Sequence, residues 1–172
     1  SLLLAAAMPT LQVLGVDTNA DAIEYAQQRA AIAGLPNARF QTADATALSG
    51  DGTALLVALH ACGGLSDVAL RLAASWGASC LICTCCFGKH RALSPAAEWD
   101  LPNGEEAKDV LCRMADCVDP SVSDEARRVV SCLRLQSLRR QMRPSSRVTR
   151  ASIRTFPSDY SRQNVVLCAA CE

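Results

Sequence analysis

Val57-Ala58-Leu59-His60-Ala61-Cys62-Gly63-Gly64-Leu65-Ser66-Asp67 sets an apolar run directly against His-x-Cys-Gly-Gly. The run predicts a buried strand over 55–59 that hands His60 and Cys62 to a glycine turn, and Leu65 to Trp76 reads as the helix behind it. Strand, glycine turn and helix form the unit on which α/β proteins mount ligand sites, and ligands gather at the carboxyl ends of the strands. His60, Cys62 and Asp67 are therefore expected at the rim of a pocket.

Working outward, Leu11 to Asp17 is a strand ending on an acid, and Asn19 or Asp21 can cap the following helix through its first free amides. That helix carries Ala22, Ile23, Ala26, Ala30 and Ile32 at roughly helical spacing and stops at Gly34-Leu35-Pro36. Asn37 to Gln41 is a short strand leading to Asp44, and Ser79 to Thr84 a fourth strand. Strands alternating with helices of about 10–15 residues predict a parallel sheet with right-handed crossovers. Beyond Pro95 the pattern loosens. Ala107 to Cys117 and Ser123 to Met142 read as helices, and Ser152 to Phe156 and Asn164 to Ala170 as closing strands. There is no internal repeat and no low-complexity tract.

With 172 residues, half of them apolar, the chain can bury one ordinary core, and it is expected to form a single domain. No stretch reaches the roughly 18 apolar residues of a membrane span. The opening Ser1 to Ala7 is apolar but has no basic n-region, so it matches a signal-peptide core only weakly, and without an initiator Met the residues are expected to be a fragment. The 10 cysteines sit mostly inside apolar runs, as buried thiols of a reducing compartment do, so a cytoplasmic location is expected. The zero net charge hides a division: 7 basic and 15 acidic residues through Glu125, then 10 basic and 2 acidic.

Asp17 stands where nucleotide-binding α/β folds place an acid to accept hydrogen bonds from ribose hydroxyls, and Asp44 repeats the arrangement one strand later. An acid after a strand also serves simply as a helix cap, and both readings are open for each residue. A free imidazole titrates at about 6.5, which suits histidine to proton transfer, so His60 is a candidate general base, against the alternative of a histidine tied to backbone at a strand end. Cys80-x-x-Cys83-x-Cys85-Cys86 has thiolate spacing that suits zinc. The first three lie on or close to one strand, however, whose alternate residues face opposite ways, so they cannot all converge. The thiols are expected to be reduced and free of metal, with Cys85 and Cys86 walling a substrate pocket.

Val16-Asp17-x-Asn19, Asn37-Ala38-Arg39-Phe40-x-x-Ala43-Asp44, Leu59-His60-Ala61-Cys62-Gly63-x-x-Ser66-Asp67 and Cys85-Cys86-Phe87-Gly88-Lys89 together resemble the S-adenosylmethionine-dependent methyltransferase domain of the glutathione S-transferase C-terminal domain-containing protein and of related methyltransferase-like proteins. The resemblance covers residues 1–90, and Phe156-Pro157-x-x-Tyr160-Ser161-x-x-Asn164 is similar to the family's ending. It implies a Rossmann-like class I sheet, with 91–150 a variable helical insertion and 151–172 the closing strands. It also implies S-adenosylmethionine as cofactor, Asp17 on its ribose, Asp44 on its adenine, and His60 to Gly63 near its methionine end. His60 and Cys62 are then the candidate catalytic residues, His60 in an orienting or substrate-contacting role. Cys85, Cys86 and Asp67 line the acceptor pocket.

The family carries a glycine-rich loop after its first strand, and the present residues contain neither that strand nor that loop. A chain of this extent is expected to leave two unpaired sheet edges, to be unstable or poorly soluble and to bind S-adenosylmethionine negligibly, with an upstream strand and loop recovering both. The alternative to methyl transfer is a non-catalytic methyltransferase-like scaffold. RNA is the candidate partner for a basic segment comprising Arg127, Arg128, Arg134, Arg139, Arg140, Arg143, Arg147 and Arg150, because clustered cations bind phosphates. No acid lies between Glu125 and Asp159, but no aromatic residue is interleaved to stack bases, and a solvated helix face is the plainer alternative.

Overall fold

Strands β1 (Val13–Asp17) and β2 (Ala38–Thr42) pair in parallel, Val13 opposite Ala38 and Asp17 opposite Thr42. Helix α2 (Ala20–Ile32) makes the crossover between them. Its start is fixed by Asn19, whose side chain accepts from the amides of Asp21 and Ala22 at 3.0 and 3.2 Å. Helix α1 (Leu2–Ala7) precedes β1. Asn37, expected to open the second strand, is instead a buried clamp before β2. Its Nδ2 donates to the carbonyls of Ala5, Met8 and Leu11 at 3.0, 3.4 and 2.9 Å, satisfying acceptors where α1 ends and β1 begins.

This computed structural model describes residues 1–50 and 52–172, which divide into two compact units, Ser1–Ser49 and Gly50–Glu172. In the second unit, β3 (Leu55–Leu59) and β4 (Ser79–Cys83) are again parallel and are joined by α3 (Gly64–Trp76). The expected parallel pattern ends there. β6 (Val165–Cys171) runs antiparallel to β4, and β5 (Val148–Thr155) antiparallel to β6, giving the order β3-β4-β6-β5. Among the described residues β1 pairs only with β2 and β3 only with β4. β5 starts earlier than the expected Ser152. Its first half is polar and reads as loop, yet it pairs with Ala170 and Cys171 through a bulge between Val148 and Arg150.

The core of this unit lies between one face of the sheet and two helices. Cys80 and Ile82 point inward from β4 and Leu167 and Ala169 from β6, against Ala69, Leu70, Ala73 and Ala74 of α3 and Leu135 and Leu138 of α5 (Pro120–Gln141). Fully burying a residue such as Ile82, Leu138 or Leu167 contributes roughly 1.5–3 kcal/mol. Helix α3 ends at Gly77, whose φ of +67° forms a left-handed cap donating to Ala73 and Ala74. A second cluster unites Phe87, Trp99, Cys112 and Ala115 with Ala126 and Val130, joining α4 (Gly104–Ala115) to α5. The variable segment 91–150 therefore builds much of the core. Among the described residues no helix is long and apolar enough to cross a membrane.

Candidate functional site

Two groups of candidate residues occur, one in each unit. In the first, the parallel register sets the carboxyl ends of β1 and β2 side by side, and the amide of Ala43 donates to the carbonyl of Asp17 at 3.0 Å. Asp17 and Asp44 thus emerge from the same edge, both exposed. Asp17 Oδ1 accepts from the amide of Asn19 at 2.9 Å. Asp44 Oδ1 accepts from the Thr46 amide at 2.8 Å and hydroxyl at 2.7 Å. Those Thr46 hydrogen bonds hold the Asp44 carboxyl below its ordinary pKa. The capping and ligand readings are compatible, because each carboxylate spends Oδ1 on its own turn. Among the described residues Oδ2 of each accepts nothing.

In the second unit, the loop after β3 and the segment after β4 leave the sheet at one edge, and backbone bonds stitch them together. Ala61 N donates to Cys83 O at 3.0 Å, Gly63 N to Cys86 O at 2.7 Å and Gly64 N to Lys89 O at 3.0 Å. Gly63 has φ +52°, and a Cβ there would collide with the Lys89 carbonyl, so only glycine lets the strands' exits approach this closely. Its amide and carbonyl are both engaged inside the protein, the carbonyl by Arg134 at 2.8 Å. That is at odds with the expected cofactor contact through Gly63, whose place is in the packing of the loop.

His60 has φ +58°, a left-handed conformation uncommon for residues other than glycine, and its side chain is exposed. The alternative of an imidazole tied to backbone is not realised, since its ring makes no hydrogen bond among the described residues; it is its backbone that is engaged, the carbonyl accepting from Cys85 Sγ at 3.6 Å. The strained backbone instead turns the ring outward at the strand end. Beside it, the thiols of Cys62, Cys85 and Cys86 lie within 4.8 Å of one another, all half-buried. Burial, helped by the Cys62 thiol, pushes Cys85 up to about 12. Burial likewise raises Cys86. Cys85 and Cys86, expected to wall an acceptor pocket, are thus brought to Cys62, whereas Cys80 and Cys83 are buried apart from it. Burial and the nearby Cys171 push Cys80 up to about 12. Alkylation of the folded protein at pH 8 is expected to label exposed Cys132 rapidly and Cys80 only after unfolding, a pattern that peptide mass spectrometry reads directly.

Asp67 is not at a pocket rim. It is 3 % exposed, facing Arg134 at 1 %. Arg134 Nη2 donates to Asp67 Oδ2 and to the Gly63 carbonyl, both at 2.8 Å, and Nη1 to Thr84 Oγ1 at 3.1 Å. Trp99 Nε1 donates to Asp67 Oδ1 at 2.9 Å. The guanidinium also lies 5.5 and 5.4 Å from the Phe87 and Trp99 ring centres, a packed cation–π arrangement. Ser66 Oγ completes the network through the Ala61 carbonyl at 2.6 Å and the Thr84 hydroxyl at 2.7 Å. Asp67 and Arg134 are therefore positioning residues for the loop bearing His60 and Cys62. Helix spacing holds the clue to Arg134, which lies four residues after Val130 and four before Leu138 on the buried stripe of α5.

Arg134 consequently leaves the expected basic face, and so does Arg127, buried with Nε on the Ala115 carbonyl at 3.0 Å and Nη1 on that of Arg162 at 3.1 Å. Arg140 pairs with Asp100 and Arg147 with Glu172. Arg128, Arg139, Arg143 and Arg150 are exposed and make no ion pair among the described residues. Asp116, which sequence reading passed over, accepts from the amides of Phe87 and Gly88 at 2.9 and 2.8 Å and fixes the turn after the cysteine pair.

Comparison with known proteins adds three findings. No curated protein matches the chain. Among solved structures, the YcgJ protein from Bacillus subtilis aligns at 17% identity with a TM-score of 0.42, over 97% of this chain and 83% of that one. A family model described as a methyltransferase domain matches residues 1–91, which include β1 to β4, the paired acids Asp17 and Asp44, and the cysteine loop. Because that match takes in more than half of the chain, this protein belongs to the methyltransferase domain family.

Proposed function

We propose that the domain transfers a methyl group from S-adenosylmethionine, and that its kin are the methyltransferase-like proteins its sequence resembles. The observation carrying this reading is the pair of exposed carboxylates at one edge of β1 and β2, each with an oxygen open to a donor. The cofactor's nucleoside offers matching donors, the ribose hydroxyls and the adenine amino group. Asp17 takes the hydroxyls and Asp44 the amino group.

When bound, the cofactor supplies an activated methyl on a sulfonium. Transfer from it is an in-line displacement that gains most from positioning. His60 orients the acceptor and Cys62 lies beside it in the loop, while Cys85 and Cys86 wall the acceptor's place. Photo-crosslinking with methyl-labelled S-adenosylmethionine tests the reading. Label should attach to the protein, be displaced by S-adenosylhomocysteine, and fall away in Asp17→Ala and Asp44→Ala. Labelling that ignores both substitutions contradicts it.

For the acceptor, the exposed Arg128, Arg139, Arg143 and Arg150 favour a polyanion such as RNA. Binding of an RNA oligonucleotide is then expected to fall steeply between low and high salt, as counterions released from phosphates dictate. A salt-independent affinity points to a neutral acceptor.

A further inference from the structure

We propose that Cys62, Cys85 and Cys86 form a three-thiolate binding site for a zinc ion, with the fourth coordination position open. The sequence draws attention to Cys80 and Cys83, but the fold gathers a different trio, whose Sγ atoms lie within 4.8 Å of one another. Zinc–thiolate bonds of about 2.3 Å in a tetrahedron set sulfurs about 3.8 Å apart, so small rotations about χ1 close the trio on an ion.

The ligands come from two loops whose backbones are already fixed to each other, through Gly63 N to Cys86 O at 2.7 Å and Gly64 N to Lys89 O at 3.0 Å. Binding therefore costs little chain ordering. All ten cysteines are free, and the three of the trio are half-buried, which leaves a path for the ion. Soft thiolates select zinc over magnesium or calcium. Three thiols lose their protons to solvent as the ion binds, leaving one net negative charge on the centre.

No fourth His, Cys, Asp or Glu joins the cluster among the described residues. Structural zinc sites are closed by four protein ligands, whereas sites with three hold water or a substrate atom in the fourth place. The site is therefore of the open kind, and its ligand is an exogenous water or soft nucleophile. The inference does not rest on cofactor binding.

Cobalt(II) titration of the reduced protein, followed by zinc competition, tests it. We expect one cobalt per chain, a thiolate-to-cobalt charge-transfer band, the visible absorption of a tetrahedral centre, and displacement of all three by zinc. Cys62→Ser, Cys85→Ser and Cys86→Ser should each abolish stoichiometric binding, while Cys132→Ser retains it. Thermal melting of each variant without metal shows whether it remains folded, and only folded variants count. Absence of the band in the parent protein overturns the proposal. So does a band that survives in Cys62→Ser and Cys85→Ser but is lost in Cys80→Ser.

Discussion

Asp67→Ala is expected to destabilise the second unit by about 3–5 kcal/mol, because it strands the Arg134 guanidinium, only 1 % exposed, without its counter-charge. The loss exceeds that of an ordinary hydrogen bond, since a buried unpaired charge must bear its full desolvation. The Trp99 indole would lose its acceptor as well. Replacing both charges, as in Asp67→Leu with Arg134→Met, is expected to cost much less than either single change, because no charge is left unpaired. Urea unfolding of the parent, Asp67→Leu, Arg134→Met and the double variant gives the comparison as a double-mutant cycle. A single substitution costing under about 1 kcal/mol would show that the pair is not buried as described.

Gly63→Ala should rank next. The backbone at φ +52° and ψ −120° strains any side chain, by roughly 1–3 kcal/mol. The Lys89 carbonyl blocks the added methyl as well, and it cannot retreat without breaking the bond it accepts from Gly64. Gly34→Ala is the control: φ is +62° there, but no atom lies within 4 Å, so only the strain remains. The Gly63 variant is expected to lose clearly more stability than the Gly34 variant. Equal losses would mean that the close approach of the two loops is not real.

How far these features were legible follows from what kind of signal each carries. The strands ending at Asp17 and Leu59 and the helix behind Gly64 announce themselves as apolar runs with punctuation at their ends, so their existence follows from local pattern. The burial expected of 55–59 does not hold: Leu55, Val57 and Leu59 are exposed and only Leu56 and Ala58 pack on the core. The acids at strand ends are equally local. What escaped depends on contacts remote in sequence. Arg134 sits in a basic run and reads as solvated, and only its pairing with Asp67, 67 residues away, makes it a core residue. Cys62 joins Cys85 and Cys86 because two parallel strands exit at one edge, a fact of register that cysteine spacing within one strand does not contain. The antiparallel β5 and β6 likewise depend on pairing that a polar Val148-Thr149-Arg150 stretch does not advertise.

The central claim, that Asp17 and Asp44 hold the nucleoside of S-adenosylmethionine, is tested most directly by calorimetric titration of that cofactor into the gene product carrying these residues. On that proposal each carboxylate would supply a charge-assisted hydrogen bond of about 1.5–3 kcal/mol, so Asp17→Ala should weaken binding by roughly 10- to 150-fold and Asp44→Ala comparably. Both side chains are exposed and bond only within their own turns, so each change is expected to cost no more than the loss of a cap, about 0.5–2 kcal/mol, and to leave the protein folded. Saturable binding in the parent, weakened at least about 10-fold in each variant while both remain folded, is the predicted result; equal affinity in parent, Asp17→Ala and Asp44→Ala would contradict the account.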